Sequence, residues 1–333
     1  MSNENYVTEL LQGSDGIERA KRLLRQGDCV ALPTETVYGL AANAESPAAV
    51  EKIFAAKGRP SNHPLIVHIP GIHHLQRWAS DVPVWVEVLA ARFWPGPLTM
   101  ILKAKPGLNN PVTGGLSTVA LRVPAHPIFL RILTELDMGL AAPSANRYKS
   151  LSPTCSEQAF QQLKGRIKAV LEGGHCEHGI ESTIIDLTGE HIRILRAGPI
   201  TAADIEQCIQ APVEVPVKHD EVVPGNVAAH YQPDTPVKLL SEQSLLAMLE
   251  DPNDVTVHYL VYSPALKDAL KQKNIPDQQH IRLPAEPADY AKNMYYSLYQ
   301  LDKPGASEIR VEMPPSSADW LAVNDRLSRA ASN

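Results

Sequence analysis

Residues 211–236 show little helical or strand periodicity and are interrupted by prolines. These prolines are Pro212, Pro216, Pro224, Pro233 and Pro236. Proline has no backbone N–H and breaks helices and strand ladders, so this stretch is predicted to be a connection. Long connections that persist in compact proteins are often functional. The sequence therefore predicts a first domain over residues 1–210, a linker or lid over residues 211–236, and a second domain over residues 237–333.

Beyond the linker, short apolar runs alternate regularly with helical patterns. This alternation is typical of a parallel, doubly wound sheet, so we expect a small Rossmann-like α/β domain. The predicted strands are Val237–Leu240, Val255–Tyr262, His280–Leu283 and Glu308–Val311. The predicted helices are Ser241–Leu249, Pro264–Gln272, Ala285–Asp302 and Trp320–Ala331.

Before the linker, strands and helices mix without strict alternation, which favours a mixed α/β sheet. The predicted helices are Asp15–Gln26, a helix from Pro47 to Ala56 with Ser46 as its cap, Val84–Phe93, Ser156–Lys164 and Thr201–Ile209. The predicted strands are Cys29–Pro33, Leu65–Ile69, Leu98–Ala104, Val119–Val123, Gly139–Ala142, Ala169–Glu172, Ser182–Asp186 and His191–Arg196.

Composition narrows the class of protein. Hydrophobic residues make up 44% of the 333, and 31 basic against 37 acidic residues give a net charge of −6. This charge balance is unlike that of a stable nucleic-acid binder, so at most transient contact with nucleic acid is expected. The four cysteines are scattered, and no apolar run is long enough to span a bilayer. We expect a cytoplasmic protein that does not bind membranes.

Familiar phosphate and hydrolase signatures are absent. The chain has no G-x-x-x-x-G-K-[ST] loop, no G-x-G-x-x-G after a strand and no G-x-S-x-G elbow. The run His175-Cys176-Glu177-His178 contains metal-ligand types, but adjacent side chains do not converge readily on one tetrahedral ion. We interpret it as a surface loop and predict no protein metal site.

Several loops could bind a small anionic ligand. Lys57-Gly58-Arg59-Pro60 places two cations around a glycine and could neutralise a polyphosphate, although cations are also common at helix C-termini. The hydroxyl-rich loop of residues 33–40 and the small-residue loop of residues 141–146 each follow a strand. Ordinary turn chemistry would explain both loops equally well.

Two polar residues interrupt apolar strands. His68 lies within Pro64-Leu65-Ile66-Val67-His68-Ile69, where a lone histidine is more often a structural residue than a ligand-binding one. Arg122 alternates with apolar residues in Val119-Ala120-Leu121-Arg122-Val123, so its side chain could project from the sheet into a site.

The ordered set of segments is more specific than any one of them. PTETVYGL, KGRP, PLIVHI, FWPGPLT, STVALRVP, APSAN and GIESTIID follow one another along the first 210 residues. In this order they resemble the YrdC-like threonylcarbamoyl-AMP synthase family. His230-Tyr231-Gln232-Pro233 and the C-terminal residues resemble its long form, which has an extra C-terminal domain. The resemblance implies a YrdC-like mixed twisted sheet with a concave site, plus a small Rossmann-like parallel domain.

The resemblance also implies site residues. Those expected to bind threonine are Thr36, His68, Arg122, Ala142 and Ser182. Those expected to bind ATP are Lys57, Arg59, His63 (or Asn62), Thr118, Ser144, Ser152, Arg196 and Tyr231. Of these, Lys57 and Arg59 are expected to be catalytic, and Tyr231 implies that the linker closes over the nucleotide.

The implied reaction joins L-threonine, bicarbonate or CO2, and ATP into threonylcarbamoyl-AMP, with release of pyrophosphate. Mg²⁺ would accompany ATP, held mainly by phosphates and water. A downstream threonylcarbamoyl transferase would use the product to modify tRNA next to the anticodon. Two alternatives remain: a factor that binds double-stranded RNA, and a carbamoyl-transferring module. Charge argues against the first, and the missing CxxC pairs argue against the second.

Overall fold

A computed structural model describes residues 6–108, 111–216, 221, 223–224, 230–250 and 256–332. The chain divides into two compact units. The first contains Met1–Tyr148, Ser152–Glu177 and Glu181–Asn226, and the second contains Lys149–Leu151, His178–Ile180 and Val227–Asn333. Within the predicted linker, residues 217–220, 222 and 225–229 lie outside the described residues.

The first unit is built on one mixed sheet, for which the described residues provide ten strands. These are β1 (Glu9–Leu11), β2 (Val30–Leu32), β3 (Gly39–Asn43), β4 (Ile66–His68), β5 (Leu98–Lys103), β6 (Thr118–Arg122), β7 (Leu140–Ala141), β8 (Ala169–Leu171), β9 (Thr183–Asp186) and β10 (Arg193–Arg196). Their spatial order is β1-β8-β2-β3-β7-β4-β6-β5-β9-β10. Strands β4 and β6 are parallel, whereas β5 and β6 are antiparallel, so the predicted mixed sheet is confirmed.

The α-helices of this unit are α1 (Gly13–Arg25), α2 (Pro47–Lys57), α3 (Leu75–Trp78), α4 (Trp85–Phe93), α5 (Pro127–Leu136), α6 (Ser156–Leu163) and α7 (Ala202–Ile209). The predicted caps are present. The Ser46 hydroxyl accepts the Ala49 N–H at 3.3 Å, and Pro47 occupies the first turn of α2. Thr201 and Asp204 form a reciprocal capping box at the start of α7.

The sheet has an apolar core on each face, because successive residues of a strand point to opposite sides. In β2, Val30 and Leu32 belong to one buried cluster, which includes residues of helices α1 and α5. Ala31 belongs to the other, which includes residues of α2, α4 and α7. With both faces covered, functional side chains are confined to strand ends and the loops that follow them.

Four elements differ from the sequence prediction, one of which is the short helix α3, which was not predicted. Strand β3 was expected to be loop, because Gly39-Leu40-Ala41-Ala42-Asn43 lacks the β-branched residues that mark a strand. Strand β1 is only three residues long and half exposed, so its pattern is weak. The prediction also omits helix α5, although Phe129, Ile132, Leu133 and Leu136 recur at helical spacing.

The second unit contains a four-stranded, fully parallel sheet within the described residues. Its strands are β11 (Val237–Leu240), β12 (Val257–Val261), β13 (His280–Arg282) and β14 (Glu308–Glu312), in the order β11-β14-β12-β13. Its helices are α8 (Glu242–Glu250), α9 (Pro264–Gln272), α10 (Pro287–Leu301) and α11 (Leu321–Ala330). The predicted parallel α/β arrangement is confirmed, and none of the described helices is both long enough and apolar enough to cross a membrane.

Candidate active site in the first unit

Arg122 ends strand β6 and is 3% exposed. Its Nε donates to the Gly96 carbonyl at 3.1 Å, Nη1 donates to Thr36 Oγ1 at 3.0 Å, and Nη2 donates to Glu35 Oε1. A guanidinium has five N–H groups, so three of these are satisfied by described residues and two are left for a ligand. The side chain is thus held from three directions while retaining free donors.

Glu35 forms a buried ion pair with Arg122, and both side chains are 4% exposed. The other carboxylate oxygen, Oε2, accepts the Ala125 N–H at 3.0 Å. Burial alone would raise the pKa of the Glu35 carboxyl, but the Arg122 guanidinium and the hydrogen bonds lower that pKa overall. Glu35 is therefore ionised at neutral pH.

Hydrogen bonds of the Thr34 hydroxyl hold the loop between β2 and β3 in place. Thr34 Oγ1 accepts the N–H groups of Thr36 and Val37 at 3.0 and 3.1 Å and donates its proton to the Val37 carbonyl at 2.6 Å. Thr34 and Thr36 Oγ1 lie 2.9 Å apart, and either hydroxyl could donate to the other. The Thr36 oxygen also accepts from Arg122, so the loop and the guanidinium hold it from two sides.

His68 ends strand β4, where it pairs in register with Arg122 on β6. Its ring is 2% exposed and stacks on Phe129 with centroids 5.2 Å apart. Burial and the Arg122 cation lower the pKa of the imidazole well below its usual value. Nδ1 has no hydrogen-bond partner among the described residues, so a neutral, buried imidazole offers one unused polar atom.

Ala142 follows β7, and its N–H donates to the Ile66 carbonyl at 3.1 Å. This bond continues the antiparallel pairing of β7 with β4. The alanine therefore lies beside the strand that carries His68 and has no bulky side chain to obstruct a ligand.

Ser182 is fully buried just before β9, and its hydroxyl lies 2.8 Å from Thr99 Oγ1. Arg196 holds Ser182 by three bonds: Nε and Nη2 donate to the carbonyl at 3.0 and 2.9 Å, and Nη2 donates to Oγ at 3.1 Å. A Cβ on Gly198 would lie 2.4 Å from the Thr183 nitrogen, so glycine is needed for this close approach.

The turn at Gly96 and Pro97 connects the two halves of this group. The Gly96 carbonyl accepts from Arg122 Nε, and the Pro97 carbonyl accepts the Thr183 N–H at 3.0 Å. Arg122 and Thr183, the residue after Ser182, are therefore anchored to adjacent residues of one turn.

A second group surrounds Lys57, which is 4% exposed. Its Nζ donates to the Ser144 carbonyl at 2.5 Å, the Asn146 carbonyl at 2.6 Å and Asn146 Oδ1 at 3.3 Å. Burial and the Arg59 cation lower the pKa of the ammonium, while Glu181 acts in the opposite direction. Its three protons already have acceptors, so direct contact with a phosphate would require one to be released.

Arg59 and His63 belong to the loop after α2. Arg59 Nη2 donates to the Pro64 carbonyl at 3.1 Å. His63 packs edge-on against Tyr148 with ring centroids 6.1 Å apart, and the Tyr148 N–H donates to the Lys57 carbonyl at 2.8 Å. These contacts connect the loop to the residues around Lys57.

The remaining predicted ATP residues are spread more widely. Ser152 donates to Glu181 Oε1 at 2.6 Å, with both side chains buried. Thr118 starts β6, at the opposite end of that strand from Arg122. Tyr231 belongs to the second unit, where its ring contacts Tyr295, at 5.6 Å between centroids, and lies under the Arg326 guanidinium.

Family models match nearly the whole chain. One described as "Telomere recombination", which covers Sua5, YciO and YrdC proteins, matches residues 22–198. Another, described as "Threonylcarbamoyl-AMP synthase, C-terminal domain", matches residues 200–332. The chain belongs to the long-form Sua5 family. The family resemblance predicted from the ordered motifs is thereby confirmed.

Relatives in the Sua5 family resemble the chain over almost its full length. A threonylcarbamoyl-AMP synthase of Bacillus subtilis is 36% identical, with 98% of this chain and 96% of the relative covered. One from Pyrococcus abyssi is 35% identical, covering 95% and 94%. The crystal structure of P. abyssi Sua5 complexed with L-threonine matches with a TM-score of 0.87 and 32% identity, covering 97% of this chain and 98% of that one. This Sua5-family chain is an enzyme of the nucleotidyltransferase type.

Within this Sua5-family fold, hydrogen bonds connect Thr36, Arg122, Ser182 and Arg196 into one network, directly or through the Gly96–Pro97 turn and Thr183. Lys57 and Ser144 belong to the second group. Residues that the sequence analysis did not assign are Glu35, Thr99 and Glu181. Glu35 could have been predicted as the partner of Arg122. It is the carboxylate within the loop of residues 33–40, and an arginine on a buried strand requires a partner for its charge.

The loop that contains metal-ligand residue types divides between core and surface. Cys176 is 3% exposed, whereas its neighbour His175 is exposed, so the two side chains do not share one environment. Among the described residues, no group of three or more His, Cys, Asp or Glu side chains is arranged to hold an ion.

Proposed function

We propose that the first unit converts L-threonine, bicarbonate or CO2, and ATP into threonylcarbamoyl-AMP and pyrophosphate. The observation that carries this proposal is the buried Arg122, which has two unused N–H groups beside His68 and Thr36. A bidentate guanidinium–carboxylate pair is the contact that such a fork favours. The relatives' name and the threonine complex of P. abyssi Sua5 support the same substrate.

Each threonine-site residue has a role that its hydrogen bonds allow. The α-carboxylate binds the two remaining N–H groups of Arg122. The Thr36 hydroxyl and the neutral His68 ring are proposed to face the amino group, since a hydroxyl oxygen and an unprotonated ring nitrogen can each accept a hydrogen bond from it. Ser182 and the small Ala142 complete the walls of the threonine site.

The nucleotide occupies the second group. Arg59 and Lys57 offset charge on the pyrophosphate that leaves, and Lys57 releases one of its carbonyl acceptors to do so. The other residues proposed to contact ATP are His63, Thr118, Ser144, Ser152, Arg196 and Tyr231. Tyr231 would act from the linker as a lid, excluding water from the labile intermediate. Mg²⁺ would enter as the MgATP complex, with phosphates and water as its ligands.

The chemistry needs no covalent intermediate on the protein. The amine nitrogen of threonine forms a bond to CO2 and loses a proton, or condenses with bicarbonate and releases water. A carbamate oxygen then attacks the α-phosphorus of ATP while the bond to the β-phosphate oxygen breaks. The residues contribute positioning and charge neutralisation, which dominate in nucleotidyl transfer.

The product carries an activated carbonyl and would pass to a downstream threonylcarbamoyl transferase. Modification of tRNA next to the anticodon would follow there, with at most transient tRNA contact by this chain. The proposed setting is the cytoplasm, where ATP, threonine and tRNA are all available.

Pyrophosphate release from purified protein tests the reaction. We expect release to depend on both L-threonine and bicarbonate, and to fall to background when either is omitted. L-Serine and L-valine, matched in size to the substrate, serve as controls. Equal release with ATP alone, or with all three amino acids, would contradict the proposal. Tight, salt-dependent RNA binding without turnover would instead favour an RNA-binding factor.

A further inference from the structure

The contact between Glu35 and Arg122 has no role in the proposed chemistry as stated so far. Both side chains are 4% exposed, and the pair joins residues 87 positions apart in the chain. A buried ion pair is seldom retained for stability alone, because desolvation of the two charges offsets their attraction. A role at the threonine site would explain why two charges are buried together there.

We propose that Glu35 is a positioning residue: its carboxylate fixes the Arg122 guanidinium so that its two unused N–H groups face the carboxylate of the amino-acid substrate. This inference rests on the proposed function, since it assigns Arg122 to the substrate carboxylate. Glu35 does not touch the reacting atoms. It acts through Arg122, together with the Gly96 carbonyl and Thr36 Oγ1.

Glu35 could hold Arg122 permanently, as a clamp, or it could occupy the guanidinium only until the threonine carboxylate displaces it, as a stand-in. The hydrogen bonds of Glu35 favour the clamp. Glu35 Oε2 accepts the Ala125 N–H at 3.0 Å, while Oε1 accepts from Arg122. Displacement would leave a buried carboxylate without its cation and remove one anchor from the guanidinium. A clamp also lowers the cost of binding, because the fork is oriented before the substrate arrives.

The two models predict opposite effects of removing the charge. If Glu35 is a clamp, Glu35→Gln loosens Arg122 and weakens threonine binding. If Glu35 is a stand-in, the same change frees Arg122 and strengthens threonine binding. None of the residues proposed to bind ATP is one of the hydrogen-bond partners described for Glu35 or Arg122, so ATP binding is expected to stay the same in either case.

The experiment measures steady-state pyrophosphate release and, separately, threonine binding by calorimetry. For Glu35→Gln we expect the KM and Kd for threonine to rise about 10-fold or more, with kcat within about 3-fold and the KM for ATP within about 2-fold of wild type. Glu35→Asp retains the charge and should recover part of the loss. Glu45→Gln, the same change at an exposed turn residue, should leave all constants unchanged.

A milder variant guards against misfolding. Ala125 is exposed, and Ala125→Pro removes the N–H that holds Glu35 Oε2 while leaving the ion pair in place. We expect its Kd for threonine to rise about 3-fold. Unchanged or tighter threonine binding in Glu35→Gln overturns the proposal, and if that variant does not fold, unchanged binding in Ala125→Pro does so. Calorimetry separates these outcomes from failure of the proposed reaction, because it needs no turnover.

Discussion

His68 and Arg122 are register partners on the neighbouring parallel strands β4 and β6, and the guanidinium helps to keep the imidazole neutral. The two residues come from distant parts of the chain, yet each ends its strand at the same edge of the sheet. Burial and the neighbouring cation together keep the imidazole neutral by lowering its pKa. This relationship has a measurable consequence for stability as well as for binding.

Acidification should destabilise the fold through His68. Burial and Arg122 lower the pKa of the ring in the folded state, so the unfolded chain binds the proton more readily. Stability from the neutral ring is present above the unfolded pKa of about 6.5 and is lost as pH falls through it. We expect the free energy of unfolding to fall by about 1–2 kcal/mol more for wild type than for His68→Asn between about pH 7 and 5.

Denaturant titrations at several pH values measure this difference. His74 and His126 also have lowered pKa values, but they contribute equally to both proteins and cancel in the comparison. His191→Asn, at an exposed position, should reproduce the wild-type slope. Identical slopes for wild type and His68→Asn would show that the ring titrates normally.

Removing the guanidinium should separate threonine binding from ATP binding. For Arg122→Ala we expect at least about a 100-fold loss in threonine affinity, because the carboxylate loses a bidentate partner. Glu35 is then left as an unpaired buried charge, which costs about 3–5 kcal/mol of stability. Calorimetry with each substrate checks the separation, with the exposed Arg131→Ala as control. Threonine affinity at the wild-type level would make the carboxylate assignment wrong.

Lys57 should matter far more than a lysine one and a half turns away on the same helix. Lys57→Met removes a cation held by three oxygens, so both the turn of residues 144–146 and the phosphate site should suffer. We expect kcat/KM for ATP to fall by about 100-fold or more, against less than about 2-fold for the control Lys52→Met. Lys52 is half exposed and pairs with Asp28. Similar activities for the two variants would remove Lys57 from the site.

The close approach of Gly198 to the Thr183 backbone should determine where Ser182 lies. In Gly198→Ala the new Cβ would meet the Thr183 nitrogen at 2.4 Å, which forces Ser182 or Arg196 to move. We expect the Kd for threonine to rise about 5-fold or more and stability to fall by about 1–3 kcal/mol. Gly189→Ala is the matched control, since its Cβ has its nearest contact at 3.9 Å. Threonine titration and thermal unfolding of both variants test whether this spacing holds the site.

Local patterns predict the fold more fully than the site. Periodicity and capping signals predicted helices such as Pro264–Gln272, because each signal lies within the element that it defines. They did not predict that Glu35 would be paired with Arg122, since that contact depends on how two distant strands are placed. The short strand β3 was missed for a related reason: Ala41 and Ala42 form a strand because the neighbours on each side require one.

The motif order predicted the site residues but not the contacts that they make within the protein. Lys57 is predicted to face phosphates, and its Nζ also donates to the carbonyls of Ser144 and Asn146, which the sequence analysis did not foresee. The sequence cannot distinguish a lysine that binds phosphate from one that holds the turn of residues 144–146, because both roles need a lysine beside small residues. Only the distances from Nζ to its neighbours show the contacts with the turn.

The strand order of the first unit has a consequence for biosynthesis. Strand β5 lies between β6 and β9, and β1 pairs with β8, so neighbours in the sheet come from opposite ends of a long sequence. Such non-local pairing raises the contact order and slows folding. Thr36, Arg122 and Ser182 meet only after β9 has been added to the sheet. A nascent chain should therefore acquire the capacity to bind threonine only after the residues of β9 have been synthesised and added to the sheet.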